Sequence, residues 1–164
     1  MKSFKDEQGR NWDLTINIGT VKRVQGLLDV NLLELEKGDP PLLTRLGTEL
    51  MLLVDIIYVL CKTQCEERGV SDEDFGLALN GEAICAAQEA FYEELVLFFQ
   101  GLGRKDLARA IQTQLEMILK AVEVMEGKIK SFDVAGELQK ALGSLSMNLP
   151  ESSESSPTPL PSES

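Results

Sequence analysis

Residues 11–28, Asn11-Trp12-Asp13-Leu14-Thr15-Ile16-Asn17-Ile18-Gly19-Thr20-Val21-Lys22-Arg23-Val24-Gln25-Gly26-Leu27-Leu28, change their hydrophobic period partway through. Up to Ile18 the apolar residues Trp12, Leu14, Ile16 and Ile18 alternate with Asn11, Asp13, Thr15 and Asn17, the period of a strand with one apolar face. From Thr20 onward Val21, Val24, Leu27 and Leu28 keep helical spacing, with Thr20 as the expected N-cap and the helix end expected near Asp29–Asn31. A strand that hands over directly to a helix calls for α and β structure around one core. Upstream, Ser3 to Asp6 leads into Glu7-Gln8-Gly9-Arg10, a glycine-containing turn, so the strand reads as the second arm of a β-hairpin. Two strands alone are marginal in water. The Trp12/Leu14/Ile16/Ile18 face must therefore pack on helices or on another copy of the chain.

Downstream, every apolar pattern is helical. Leu32, Leu33 and Leu35 run into Gly38-Asp39-Pro40-Pro41, a clear break. Leu42 to Arg68 reads as one long helix whose face Leu43, Leu46, Leu50, Leu53, Ile57, Leu60 and Cys61 is continuous, with Leu52, Val54, Ile56 and Val59 around the rest. A helix apolar nearly all round is central and buried on several sides. Asp55 in its middle must find a partner or point outward, because a buried unpaired carboxylate is costly. Ser71 then caps a short helix with Asp72, Glu73 and Asp74 in its first turn, carrying Phe75, Leu77 and Leu79 and ending at Asn80-Gly81. Those acids lack the spacing of an EF-hand loop, and capping accounts for them. Glu82 to Gln100 places Ile84, Ala87, Phe91, Leu95, Phe98 and Phe99 on one face, with Glu89, Glu93 and Glu94 on or near the polar side and Gly101 as the stop. Gly101-Leu102-Gly103 precedes a helix but has none of the further glycine or Lys-Ser/Thr of a phosphate loop. Arg104 to Lys130 is a long amphipathic helix in which Ile111, Leu115, Ile118, Val122, Met125 and Ile129 step by 4, 3, 4, 3 and 4, a heptad seam. Such a seam needs a covering surface: its own core, a second copy or a different protein. Val134 to Leu145 offers a weaker amphipathic segment.

Composition bounds the chemistry. The 164 residues carry 16 Lys plus Arg against 27 Asp plus Glu, a net charge of −11, and no histidine. Without histidine there is no Ser-His-Asp or Cys-His nucleophile, no imidazole base and no His-ligated metal. The acidic balance is wrong for nucleic acid, which needs a basic footprint, and for an anionic membrane surface. Cys61 and Cys65 are spaced C-x-x-x-C, unlike redox or zinc motifs, and with Cys85 they read as small buried hydrophobes of a reducing compartment; neither a metal nor another cofactor is expected. Met1 to Glu7 has no apolar segment of a secretory signal, and the Leu50–Cys61 run is shorter than the ~20 residues of a membrane span, so a cytoplasmic location is expected.

Asn148 to Ser164 departs from the rest, with six serines, four of the six prolines, three glutamates and no Lys or Arg. It reads as a disordered acidic tail, and Pro157-Thr158-Pro159-Leu160-Pro161 favours polyproline II as a peptide ligand would. Residues 1–147 still hold 24 acids against 16 bases, so the acidity belongs to the folded part. The expected architecture is mainly α with a small N-terminal β-hairpin (α+β): a helical domain over 1–147 and a tail over 148–164, without internal repeats.

In order and texture the chain resembles the tail assembly chaperones of long-tailed bacteriophages and prophages. Members typically open with a short β-element, as Trp12-Asp13-Leu14-Thr15-Ile16-Asn17-Ile18 does, followed by a helix and a segment like Leu27-Leu28-Asp29-Val30-Asn31-Leu32-Leu33. An apolar helix like Leu50 to Leu60, a capped turn like Val70-Ser71-Asp72-Glu73-Asp74-Phe75 and a helix ending like Glu93-Glu94-Leu95-Val96-Leu97-Phe98-Phe99 complete the pattern. The resemblance covers residues 3–100, and the helix from Arg104 goes beyond it. It implies a non-enzymatic protein of the bacterial host cytoplasm. Such a protein binds the long, aggregation-prone tape-measure protein, keeps it soluble, helps recruit tail-tube subunits and leaves before the virion is complete. It also implies that a longer form can arise by ribosomal frameshifting.

Two other readings are open on the residues alone. One is a helical adaptor or scaffold that dimerises or binds a partner protein through the 104–130 helix, with Ile111, Leu115, Ile118, Val122 and Met125 as the binding residues. The other is an enzyme using Asp55, Glu93 and Glu94, which would lack a histidine, a nucleophile elbow, a phosphate loop and a metal motif.

Overall fold

The computed structural model describes residues 1–130, except for the side chains of residues 126 and 128–130. The 148–164 tail, the Val134–Leu145 segment and the packing of Ile129 lie outside the described residues. The chain divides into two compact units, Met1–Ala121 and Val122–Ser164.

The first unit opens with β1 (Lys2–Lys5) and β2 (Asn11–Leu14), antiparallel in the register Phe4↔Trp12 and Lys2↔Leu14. The turn between them is organised by Asp6, which is buried at 5% exposure. Its Oδ1 accepts the backbone N–H groups of Gln8 and Arg10 at 2.9 and 3.0 Å. Its Oδ2 accepts Arg10 Nε at 2.6 Å and the Trp12 indole N–H at 2.9 Å. The strand is shorter than the alternation indicates. It ends at Leu14, and Asn17, with φ −147°, caps α1 (Ile18–Leu28): its side chain accepts Thr20 N–H while Thr20 Oγ1 accepts Asn17 N–H. Thr20 is therefore the third residue of a capping box and not the N-cap, and Ile18 lies in the first helical turn, 49% exposed. Helix α1 ends where expected, at Asp29.

The segment after α1 is pinned by Val30, Leu32 and Leu35, all buried, while Leu33 is exposed. The expected 42–68 helix is two helices, α2 (Leu42–Thr48) and α3 (Leu50–Arg68), because Glu49 leaves the helical region at φ −107°, ψ 87°. Gly47-Thr48 weakens the helix there. Thr48 Oγ1 bonds back to the Thr44 carbonyl at 3.0 Å, which favours a bend, and Arg45 holds Glu49 through two bonds of 2.9 and 3.1 Å. As expected of its all-round apolar character, α3 is central: α1, α2, α4, α5 and β2 all pack on it. Gly69 closes it in the left-handed conformation.

Helix α4 (Asp72–Leu77) starts at the expected cap, with Ser71 Oγ accepting Asp74 N–H at 3.1 Å. Its anchor is Phe75, whose ring meets Trp12 edge-on at 5.1 Å; burying such a side chain contributes about 2 kcal/mol. Leu77 is 70% exposed. Helix α5 (Glu82–Gly101) lies against β1 and β2. It runs through Gly101. The stop is Gly103, at φ +76°, with Arg104 N–H bonded to Phe99 O and Gly103 N–H to Gln100 O, the paired bonds of a Schellman motif. Helix α6 spans Lys105–Lys130. The architecture is thus mainly α with a small N-terminal hairpin, and Trp12, Leu14 and Ile16 pack on helices of the same chain.

Candidate partner-binding surface

The seam of α6 is covered along its first half. Ile111 and Leu115 lie in the core at 0% and 2% exposure, and Ile118 packs partly buried against it. Val122 is half-buried and Met125 is 64% exposed. Of the five residues read as partner-binding, Ile111 and Leu115 are thus inaccessible while the fold stands. The amphipathic period is the same whether a helix covers its own core or a foreign one, so spacing alone could not separate them.

Of the five, Met125 is exposed, and other apolar residues of α6 are exposed with it. In the first unit Met117 is 67% exposed and Leu119 faces solvent; in the second, Val124 and Met125 do. Unbranched methionine adapts to irregular partner surfaces. Leu50 and Met51, at the α2–α3 junction, are likewise exposed.

One polar residue that spacing did not single out ties α6 to its neighbours. The Gln114 side-chain amide donates to Leu43 O at 2.8 Å and to Tyr92 Oη at 2.7 Å. A β-carbon at Gly47 would stand 3.0 Å from the same nitrogen, so glycine there lets the two helices approach closely. Burial pushes the Tyr92 hydroxyl above its ordinary value, against the bond from Gln114. A single glutamine beside an apolar seam carries no periodic signal, which is why the contact was not legible.

The three carboxylates weighed for chemistry sit apart in role. Asp55 points outward from α3. Glu93 pairs with Lys2 at 3.1 Å. Glu94, expected on or near the polar side, is instead buried: Oε1 accepts the Ile16 N–H at 3.2 Å, and Oε2 is 3.1 Å from the Met1 amine. It satisfies a backbone donor left over where β2 ends. Gln64 does the same for the strand edge, accepting Asp13 N–H and donating to Asp13 O at 3.0 and 2.7 Å.

Cys61 and Cys65 are buried free thiols, as read, but Cys85 is exposed. Burial raises both buried thiols, Cys61 far above the ordinary range and Cys65 to about 11, so they are protonated at neutral pH and make poor nucleophiles. Among the described residues no three His, Cys, Asp or Glu side chains are grouped to hold a metal ion, and no helix is long and apolar enough to cross a membrane.

No known protein family, curated protein or solved structure matches the chain.

Proposed function

We propose that this chain is a non-enzymatic tail assembly chaperone that binds a tape-measure protein in the cytoplasm of a bacterial host. The observation that carries the reading is the set of apolar side chains that α6 leaves in solvent, Met117 and Leu119 in one unit and Val124 and Met125 in the other, on a chain of net charge −11. Apolar side chains on a helix give a partner's amphipathic helices something to bind. The surrounding negative charge keeps the complex soluble and makes coated complexes repel one another. Together they describe reversible coating by many weak contacts, with no bond made or broken. The resemblance over residues 3–100 supplies the identity of the partner.

Co-expression with a tape-measure fragment tests this. The soluble share of the fragment rises with the wild-type chain and falls back with Met117→Glu/Met125→Glu. A fragment that stays insoluble beside the wild type sinks the reading, as does full activity of the double variant. The adaptor reading is favoured by the half-buried Val122 next to exposed Met125. Under it, sedimentation gives a stable dimer that the same substitutions dissociate, and the fragment stays insoluble throughout.

A further inference from the structure

Between α5 and α6, within the first unit, runs an open groove of about 670 Å3, with Val96 and Gln100 on one side and Lys105, Ala108, Arg109 and Glu116 on the other. We infer that this groove docks an acidic amphipathic helix of a partner protein. The inference is independent of the chaperone reading and uses none of the residues that carry it.

The first support is charge. Lys105 and Arg109 are exposed, one helical turn apart, and neither is in an ion pair among the described residues. Lys2, Arg10, Lys37, Arg45, Lys62 and Arg104 each have a carboxylate partner, while Lys5, Lys22, Arg23, Arg68 and Lys120, like Lys105 and Arg109, are in no ion pair among the described residues. What sets Lys105 and Arg109 apart is that they stand one turn apart in the same groove, whose own acid, Glu116, lies two turns beyond Arg109, so both are available to an external carboxylate.

The second is shape. Lys105, Arg109, Gln112 and Glu116 step along α6 by four, three and four residues, a line of about 16 Å at the rise of an α-helix. Carboxylates at i and i+4 on a helix laid along this line meet Lys105 and Arg109 together. Val96 and Ala108 close the base, and the aliphatic stems of Lys105 and Arg109 add apolar flanks, so the occupant also needs small apolar residues. Glu116 fixes direction: it repels an acid and accepts a cation, so the occupant carries its acids at the Lys105 end and a basic residue at the Glu116 end.

Other occupants fit less well. Nucleic acid needs a track of cations, and two of them on a chain of net charge −11 do not make one. A second copy brings the same −11, so docking it works against long-range repulsion.

The test is fluorescence anisotropy of the full chain with a labelled synthetic amphipathic helix bearing Glu at i and i+4 beside an Ala/Leu face, and with its Glu-to-Lys counterpart. The Glu helix binds, and its affinity falls about tenfold in Lys105→Glu/Arg109→Glu. Lys22→Glu/Lys120→Glu, at two exposed residues outside the groove, makes the same charge change, leaves the affinity unchanged and so separates the groove from net charge. Both groove substitutions are at exposed positions near the N-terminal end of α6, where acids suit the helix dipole, so the variant stays folded and melts with the Lys22→Glu/Lys120→Glu control. The inference is overturned if the Glu helix binds the double variant as well as the wild type, or if the Lys helix binds as tightly. It is overturned too if inorganic phosphate displaces the Glu helix, which makes the groove a small-anion site. A dimer in sedimentation that dissociates on the same charge reversal assigns the groove to a second copy.

Discussion

Asp6 shows how much one side chain can organise. Four donors converge on its carboxylate, two from the turn backbone, one from Arg10 and one from the Trp12 indole. Burial opposes ionisation of Asp6, but the bonds from Trp12 and Arg10 outweigh it and hold its carboxyl below the usual 3.8. A carboxyl depressed on folding contributes stability that is fully present above its unfolded value and is lost as pH falls through the lower folded one. Asp6→Asn turns an amide NH2 towards donors and leaves buried N–H groups unpaired, a cost of about 2 kcal/mol or more at pH 7. Urea unfolding of both proteins at pH 7 and pH 3 checks the sign: the wild-type advantage is large at the first and shrinks at the second. An advantage unchanged at pH 3 would show that the ionised form is not what stabilises the turn. In the sequence, Asp6 is one acid in a polar run and reads as solvated. Only the fold brings Trp12 back over it.

At the scale of elements, what periodicity could measure was legible and what depended on local bonds was not. The hairpin, the central apolar helix and the capped α4 follow from alternation, all-round hydrophobicity and the Ser71 cap. The strand end at Leu14 was hidden, because Ile16 and Ile18 extend the alternation while Asn17 and Thr20 already form the capping box. The α2–α3 break was hidden by an apolar face that continues across Gly47-Thr48. The helical run of α6 was legible, but not which part of its seam the core covers. Leu115 and Met117 make that division measurable. Leu115→Glu places a carboxylate at a site 2% exposed and destabilises by roughly 3 kcal/mol or more. Met117→Glu, at 67% exposure, stays within about 0.5 kcal/mol. Thermal unfolding of the two variants separates them. Similar losses in both would mean that Met117 is packed in solution and is no part of a binding surface.

For the whole molecule the question is what the surplus of acids does. Among the described residues most ion pairs join side chains that are well exposed, such as Lys37–Glu34 and Arg104–Asp106, and pairs of that kind contribute about 0–1 kcal/mol each. Against them stands the mutual repulsion of the excess acids, a net charge of −11 over the 164 residues. The two respond to salt in opposite ways. Screening weakens the exposed pairs, which would lower the melting temperature, and it weakens the long-range repulsion, which would raise it. With pairs this exposed the repulsion dominates, so the melting temperature rises by a few degrees between about 10 mM and 500 mM sodium chloride at pH 7. In the coating proposed above, the same salt removes the repulsion between coated partners, so the soluble share of a co-purified tape-measure fragment falls over that range. A chain whose fold gains stability from salt while its solubilising activity loses by it uses its acids outwardly, on the partner. If both instead fall together, the ion pairs hold the fold and the charge has no separate role in the function proposed above.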